Sequence, residues 1–326
     1  MSAARREFLR LLGITLALPS MSRMSWAETW PARPIRAIVP ILAGTGVDAL
    51  SRLVLNELSA RLGQPIVVEN RPGASGTVGG ATAAKADPDG YTLLTDSSSH
   101  TIVPALFTGL PYDPVRDFAP VIPLGTMPFV LVCASGKGFK TLGDLIAAAK
   151  AKPGALTYAS GGIGTTNHLA VERLRLSAGF EAMHVPYRGA GFIADVLAER
   201  IDFAIAPLGP YLPLIQTEKL SALAVTSVKR AANLPDVPTT LELGYANSDT
   251  RFWVGLFAPV KTPREIIQRL NDETTKALDV PRMRERLADI SAEPMIMSPS
   301  EFAAMITQEF ADNAELARKI GLKATL

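Results

Sequence analysis

Apolar positions along this chain switch repeatedly between two periods. PIRAIVP, residues 34–40, is a short and nearly continuous apolar run, the mark of a buried strand. From Val47 to Leu62 the residues Leu50, Leu53, Val54 and Leu58 return at helical spacing. Gln64 to Glu69 predicts a second strand, Gly76 to Ala86 a helix of small residues, and Tyr91 to Thr95 a third strand. A βαβαβ opening predicts a mostly parallel sheet with helices on both faces.

A second series follows. Phe129–Cys133 predicts a strand. Thr141, with Asp144 three residues on, is a cap for a helix reaching Lys150. Leu156–Ala159 and Met183–Pro186 predict strands that flank a helix from Thr165 to Ala178. Gly191–Glu199 is helical, and Phe203–Ala206 and Ala222–Val225 are further strands. The first series then resumes with strand-like Phe252–Pro259 and a helix opened by Thr262-Pro263, proline being preferred in a first turn. Amphipathic helices near 281–290 and 300–320 finish the chain. The simplest arrangement is two α/β lobes. Residues 28–125 plus 250–326 form one, residues 126–249 the other, and crossings near 118–128 and 246–254 join them. One continuous sheet is compatible with the same pattern. The prolines of Leu110–Pro114 and Leu234–Pro238 mark irregular surface segments.

Candidate chemistry is sparse. The three histidines, His100, His168 and His184, include no i, i+4 pair, and Cys133 is the only cysteine. No metal, zinc above all, and no intrachain disulfide is expected from that set. Cys133 sits inside an apolar run and reads as buried and inert. There is no Gly-x-Ser-x-Gly elbow. Ser97-Ser98-Ser99-His100 places hydroxyls beside a base, but adjacent residues rarely form a nucleophile–base pair, and a polar strand-to-helix loop is the expected reading. Gly44-Thr45-Gly46 lacks the third glycine of a dinucleotide fingerprint, although Glu69 stands at roughly the distance of a ribose-binding acid. Ser160–Thr166 lacks the lysine of a P-loop. No cofactor is expected.

What survives is a pair of loops, 43–46 and 160–166. Each follows an apolar strand, precedes a helix, and mixes glycine with Thr or Ser. Such a loop presents backbone N–H groups at a helix N-terminus, where an anion is favoured. Either loop alone is also an ordinary tight turn. One loop falls in each expected lobe, and ligands in open α/β sheets sit beyond the carboxyl ends of the strands. Two facing lobes would grip an anionic ligand from both sides.

Composition changes this picture at the N-terminus. Residues 1–27 have a basic start, an apolar run from Phe8 to Leu18 and the end Ser25-Trp26-Ala27, an export signal with cleavage expected before Glu28. The apolar run is too short to span a bilayer. Arg5-Arg6-Glu7-Phe8-Leu9 also fits a twin-arginine signal, so both export routes stay open. Arg5, Arg6, Arg10, Arg23 and Glu7 give the segment a net +3, so the whole-chain charge of +2 becomes −1 once it is removed. No basic stripe remains to suggest nucleic acid. A periplasmic location follows as the expectation.

The chain resembles the Bug family, the extracytoplasmic solute receptors of tripartite tricarboxylate-type transport. The likeness is carried by Ile41–Asp48, Glu69–Thr77, Pro88–Leu94, Leu110–Phe118, Tyr158–Leu169 and Val185–Gly191, in that order. It runs from about Pro31 to beyond Phe310. The resemblance implies a two-lobed, periplasmic-binding-protein-like α/β fold of type II with two crossovers. Its function would be to close on a small organic acid or acidic amino acid and deliver it to membrane transporter subunits. It implies no catalysis, and a monomer is the expected working unit. A sensor of the same fold that signals to a membrane kinase is the alternative, and an exported α/β enzyme a more remote one. By resemblance the ligand contacts are Ala43, Gly44, Thr45, Gly46 and Asp48 in the first loop and Ser160, Gly162, Gly164, Thr165 and Thr166 in the second. Ser97, Ser98, His100, Tyr187, Gly189 and Ala190 would line the cleft. Ile41-Leu42, Thr45 and Val47 depart from the family's usual Phe-Pro, glycine and threonine, which makes the first loop more apolar.

Overall fold

The computed structural model describes residues 29–322, 324 and 325. The expected export signal and its cleavage site lie outside the described residues. In chain order the elements are β1 (Ile35–Val39), α1 (Gly46–Leu62), β2 (Ile66–Asn70), α2 (Thr77–Ala84), β3 (Thr92–Ser97), α3 (Ser99–Leu106), β4 (Phe107–Thr108), β5 (Phe118–Met127), β6 (Phe129–Ala134) and α4 (Leu142–Ala151). Then come β7 (Thr157–Ser160), α5 (Thr166–Ala178), β8 (Met183–Pro186), α6 (Ile193–Leu197), β9 (Phe203–Pro207), α7 (Leu212–Gln216) and β10 (Leu220–Val225). The chain ends with β11 (Phe252–Pro259), α8 (Arg264–Asp279), α9 (Pro281–Asp289), α10 (Pro299–Lys319) and β12 (Ala324–Thr325), the last paired in parallel with β4.

Two five-stranded sheets result, ordered β2-β1-β3-β11-β5 and β10-β6-β9-β7-β8. In the first, β1 pairs in parallel with β2 and β3, and β11 is antiparallel to both β3 and β5. In the second, β7 pairs in parallel with β8 and β9, and β6 is antiparallel to β9 and β10. Each sheet therefore has one strand running against the other four. The reason lies in the connectivity: β11 and β6 are the strands that enter a sheet from the opposite lobe, so each arrives from the ligand end. The sheets are mostly parallel, as the opening βαβαβ pattern predicts, and these two strands are the exceptions. The chain crosses once at Pro128, between β5 and β6, and once between Val225 and Phe252.

The interior follows the sequence pattern. Ile35, Ala37, Ile38 and Val39 of β1 are buried on both faces, as a central parallel strand requires. Leu50, Val54 and Leu58 of α1 pack under that sheet. Cys133 is a buried free thiol. Two elements depart from expectation. Residues 118–127 form a ten-residue strand where only a crossing was expected, because Pro120 and Pro123 disguise it; β5 is an edge strand, where a missing N–H is tolerated. The expected loop at Ser99-His100 is already helical, and Pro104 lies inside that helix.

Candidate functional site

The carboxyl ends of β1, β2 and β3 in one lobe and of β7 and β8 in the other carry the loops that face the cleft. The first loop leaves β1 at Pro40 and enters α1 at Gly46. Thr45 caps that helix: its hydroxyl accepts from the Asp48 N–H at 3.4 Å and donates to the Leu42 carbonyl at 3.1 Å. Asp48 is 3% exposed and fully engaged. It accepts from the Gly44 N–H at 3.0 Å, from Asn70 Nδ2 at 2.8 Å and from Arg52 Nε at 3.0 Å. Burial would raise the Asp48 carboxyl, but Arg52, Gly44 and Asn70 outweigh it and hold the group below the ordinary carboxylate range. Asn70 also donates to the Ile41 carbonyl at 3.1 Å and accepts from Arg52 at 2.7 Å. The first loop is thus shaped by an internal acid–amide–guanidinium knot. Val47 is buried in the core with Leu50 and Val54, so its replacement of the usual threonine serves packing.

The second loop is built differently. Gly162 donates to the Ser160 hydroxyl at 3.1 Å, and Thr165 Oγ1 donates to the Gly162 carbonyl at 2.6 Å. With its hydroxyl turned back, Thr165 makes no side-chain cap on α5, and the first turn of α5 holds no acid. Beneath the loop three rings lie nearly parallel. His184 stacks on Tyr158 and on His168, with centroids 4.8 and 4.0 Å apart. Gly164 donates to His168 Nδ1 at 3.4 Å, and His184 Nε2 meets the Ser160 hydroxyl at 2.6 Å. Burial pushes both imidazoles down to about 4, and the neighbouring His184 adds to the effect on His168. Both are therefore neutral acceptor-capable rings near neutral pH.

Among the described residues, the N–H groups of Thr45, Gly46 and Val47 and those of Thr166, Asn167 and His168 find no hydrogen-bond acceptor. These are the orphan donors of the starts of α1 and α5, and they carry the positive end of each helix dipole. The two ends are not equivalent. Asp48 already supplies a carboxylate to the first turn of α1, whereas the first turn of α5 holds none. The stronger pull on an outside anion comes from the second loop.

The remaining expected residues divide into wall and support. Tyr187 and Gly189 are laced to the second loop, their N–H groups donating to the Ser160 and Gly161 carbonyls at 2.9 and 3.1 Å. The Tyr187 hydroxyl donates to Asp195, which raises its pKa. Ala190 opens the short turn Ala190–Phe192. Ser97 accepts from the Ser99 N–H at 3.3 Å. His100 lies behind the site, stacked on Phe257 and held by Asp96 at 3.3 Å and by the Pro114 carbonyl at 3.0 Å. Ser98 and Thr166 meet each other across the cleft, Oγ to Oγ1, at 2.9 Å. A cavity of about 850 Å³ opens beside that contact, on the flank formed by α3, α5 and α10.

Sequence reasoning missed Arg52, Asn70 and the structural role of His184. Arg52 was findable, since an acid four residues before an arginine in a helix is a favourable pair. Asn70 and His184 act through contacts across the fold, 22 residues from Asp48 and 24 from Ser160, which no local pattern encodes.

Comparison with known proteins agrees with this architecture. The sequence model of the tripartite tricarboxylate transporter family receptor matches residues 50–322. The protein BugT of Bordetella pertussis is 35% identical over 320 residues, 97% of this chain and 98% of that protein. Among solved structures, R. palustris Rpa4515 with adipate superposes with a TM-score of 0.86 at 32% identity, covering 91% of this chain and all of that one. MatC from Rhodopseudomonas palustris with bound malate gives 0.81 at 30% identity, covering 88% and 99%.

Proposed function

The chain belongs to the tripartite tricarboxylate transporter family of receptors, and on that premise we propose that it is the periplasmic binding component that closes on a small carboxylate-bearing solute and hands it to membrane transporter subunits. Similar solved structures include a periplasmic binding protein, BugD, and a TctC solute binding protein, and two others hold adipate and malate. The observation that carries the reading to this chain is the pair of helix starts, α1 and α5, presented from the carboxyl ends of two separate sheets with unpartnered N–H groups.

In this reading the backbone of Ala43 to Gly46 and of Gly162 to Thr166 faces the solute's carboxylates, and Tyr187 to Ala190 forms a wall. The α5 start anchors the more tightly held carboxylate, because no side chain of its own neutralises it. Asp48 and His100 support the site from behind. Residues 28–125 with 250–326 and residues 126–249 are the two lobes, and the mature chain works as a monomer. Titration calorimetry with short dicarboxylates, tricarboxylates, acidic amino acids and aromatic acids tests the proposal, guided by native mass spectrometry of freshly purified protein. One-to-one binding of an acid, with its amide or ester analogue failing to bind, is the expected result. Equal binding of a neutral analogue would remove the anion from the argument.

A further inference from the structure

Several polar contacts join the lobes without involving a solute, and those at the cleft are these. Thr166 Oγ1, at the start of α5, lies 2.9 Å from Ser98 Oγ and 3.2 Å from Ser99 Oγ of the other lobe. The Ser75 hydroxyl donates to the Ile163 carbonyl at 2.7 Å. On the α10 flank, the Arg173 guanidinium donates to Asn313 Oδ1 at 3.0 Å, and Asn313 is fixed in turn by donating to Thr101 Oγ1 at 3.0 Å. Ser98, Thr101, Thr166 and Asn313 are all buried. An apolar seam runs beside them, in which Leu169 of α5 packs with Ile102 and Leu106 of α3 and with Leu316 and Ala317 of α10. At the opposite lip, Leu42 reaches Gly189 so closely that a Cβ on Gly189 would lie 2.9 Å from it.

We infer that Ser98, Ser99 and Thr166, backed by Arg173 and Asn313, are lobe-closing residues, and that they hold the cleft shut in a substantial share of the solute-free molecules. The side chain of Thr166 is then a positioning group. It brings the amides of the two loops into register, and the solute is met by backbone. Each of these hydroxyls spends its bonding on the opposite lobe, and a buried hydroxyl left unpaired is costly. The flanking cavity, lined by Ser98, Thr101, Thr166, Arg173 and Asn313, gives water a path to the same groups. Opening therefore replaces protein partners by water, so the clasp is reversible.

The inference is independent of which solute binds, and its failure would leave the receptor reading standing. Mature protein is unfolded in guanidinium, refolded free of small molecules, and checked by native mass spectrometry. Small-angle X-ray scattering of this solute-free protein is expected to fit a population rich in the closed structure. Loss of one such bond shifts the closed-to-open ratio by roughly two- to tenfold. Thr166→Val with Arg173→Ala should then give a clearly larger radius of gyration, and Thr166→Ser should retain the wild-type curve. Circular dichroism confirms folding. If Thr166→Val does not fold, Ser98→Ala with Asn313→Ala tests the same clasp from the other lobe. A solute-free wild type as expanded as the double variant overturns the inference, and so does a double variant as compact as wild type.

Discussion

Gly164→Ala separates closure from folding more sharply than any loss of a polar group. Gly164 has φ +81°, and a Cβ there would stand 2.7 Å from Phe107 Cε2 and 3.5 Å from Leu106 Cδ1, both in the opposite lobe. Two costs follow. An alanine held in the left-handed region loses roughly 1–2 kcal/mol, and this is felt whether the lobes are open or closed. The overlap with Phe107 adds about 1–3 kcal/mol, typical of an overpacked contact, and is felt only when the lobes meet. The first cost lowers the melting temperature by a few degrees at most for a chain of this size. The second lowers solute affinity by roughly five- to 150-fold, since about 1.4 kcal/mol is a factor of ten. Calorimetry with the acid that native mass spectrometry identifies, beside thermal unfolding, measures both. Adding Phe107→Ala should restore most of the affinity and none of the backbone strain, a coupling that a double-mutant cycle isolates. Unchanged affinity in Gly164→Ala, or no rescue by Phe107→Ala, would refute the interlobe contact as the cause.

Two further outcomes are expected. N-terminal sequencing of periplasmic protein should read from Glu28, and recovery of mainly intact Met1 protein in membranes would contradict a cleavable signal. Stability to urea should fall as pH drops from about 6.5 towards 4: an unfolded imidazole titrates near 6.5 while His168 and His184 stay neutral to about 4, so the unfolded chain binds more protons across that window. The slope approaches roughly 1.4 kcal/mol per pH unit for each imidazole kept neutral, His184→Phe should reduce it, and an equal slope in that variant would reject the stack as its source.

Much of the fold was legible because buried strands and amphipathic helices write their period locally. β1, α1, α4 and α5 fall close to where the apolar spacing and the Thr141–Asp144 capping box put them. β5 was not legible, because Pro120 and Pro123 are compatible with a strand only at a sheet edge, and edge position is a property of the whole sheet. The same limit governs the site. Gly44, Gly162 and Gly164 announce two turns that could cradle an anion, but a turn's sequence does not say which of its amides are already spent. Gly44 gives its N–H to Asp48 and Gly162 gives its own to Ser160.

The asymmetry between the two helix starts follows from this. α1 begins with an acid that its own loop, Asn70 and Arg52 hold in place, so its dipole is largely answered before any solute arrives. α5 begins with no acid and no side-chain cap, over a floor of neutral rings that neither repel nor neutralise an anion. With the buried Glu172 beneath the rings paired to Arg175, the start of α5 is the less answered of the two dipoles, and on the proposed reading a carboxylate entering the cleft is drawn to the second lobe. The first lobe contributes chiefly shape: Leu42 at the lip, Thr45 fixing the bend, and Gly46 packed so closely beneath that a Cβ would lie 3.4 Å from Met127 Sδ. A solute with one strongly held carboxylate and a less demanding far end fits such a pair better than one needing two equivalent anion sites.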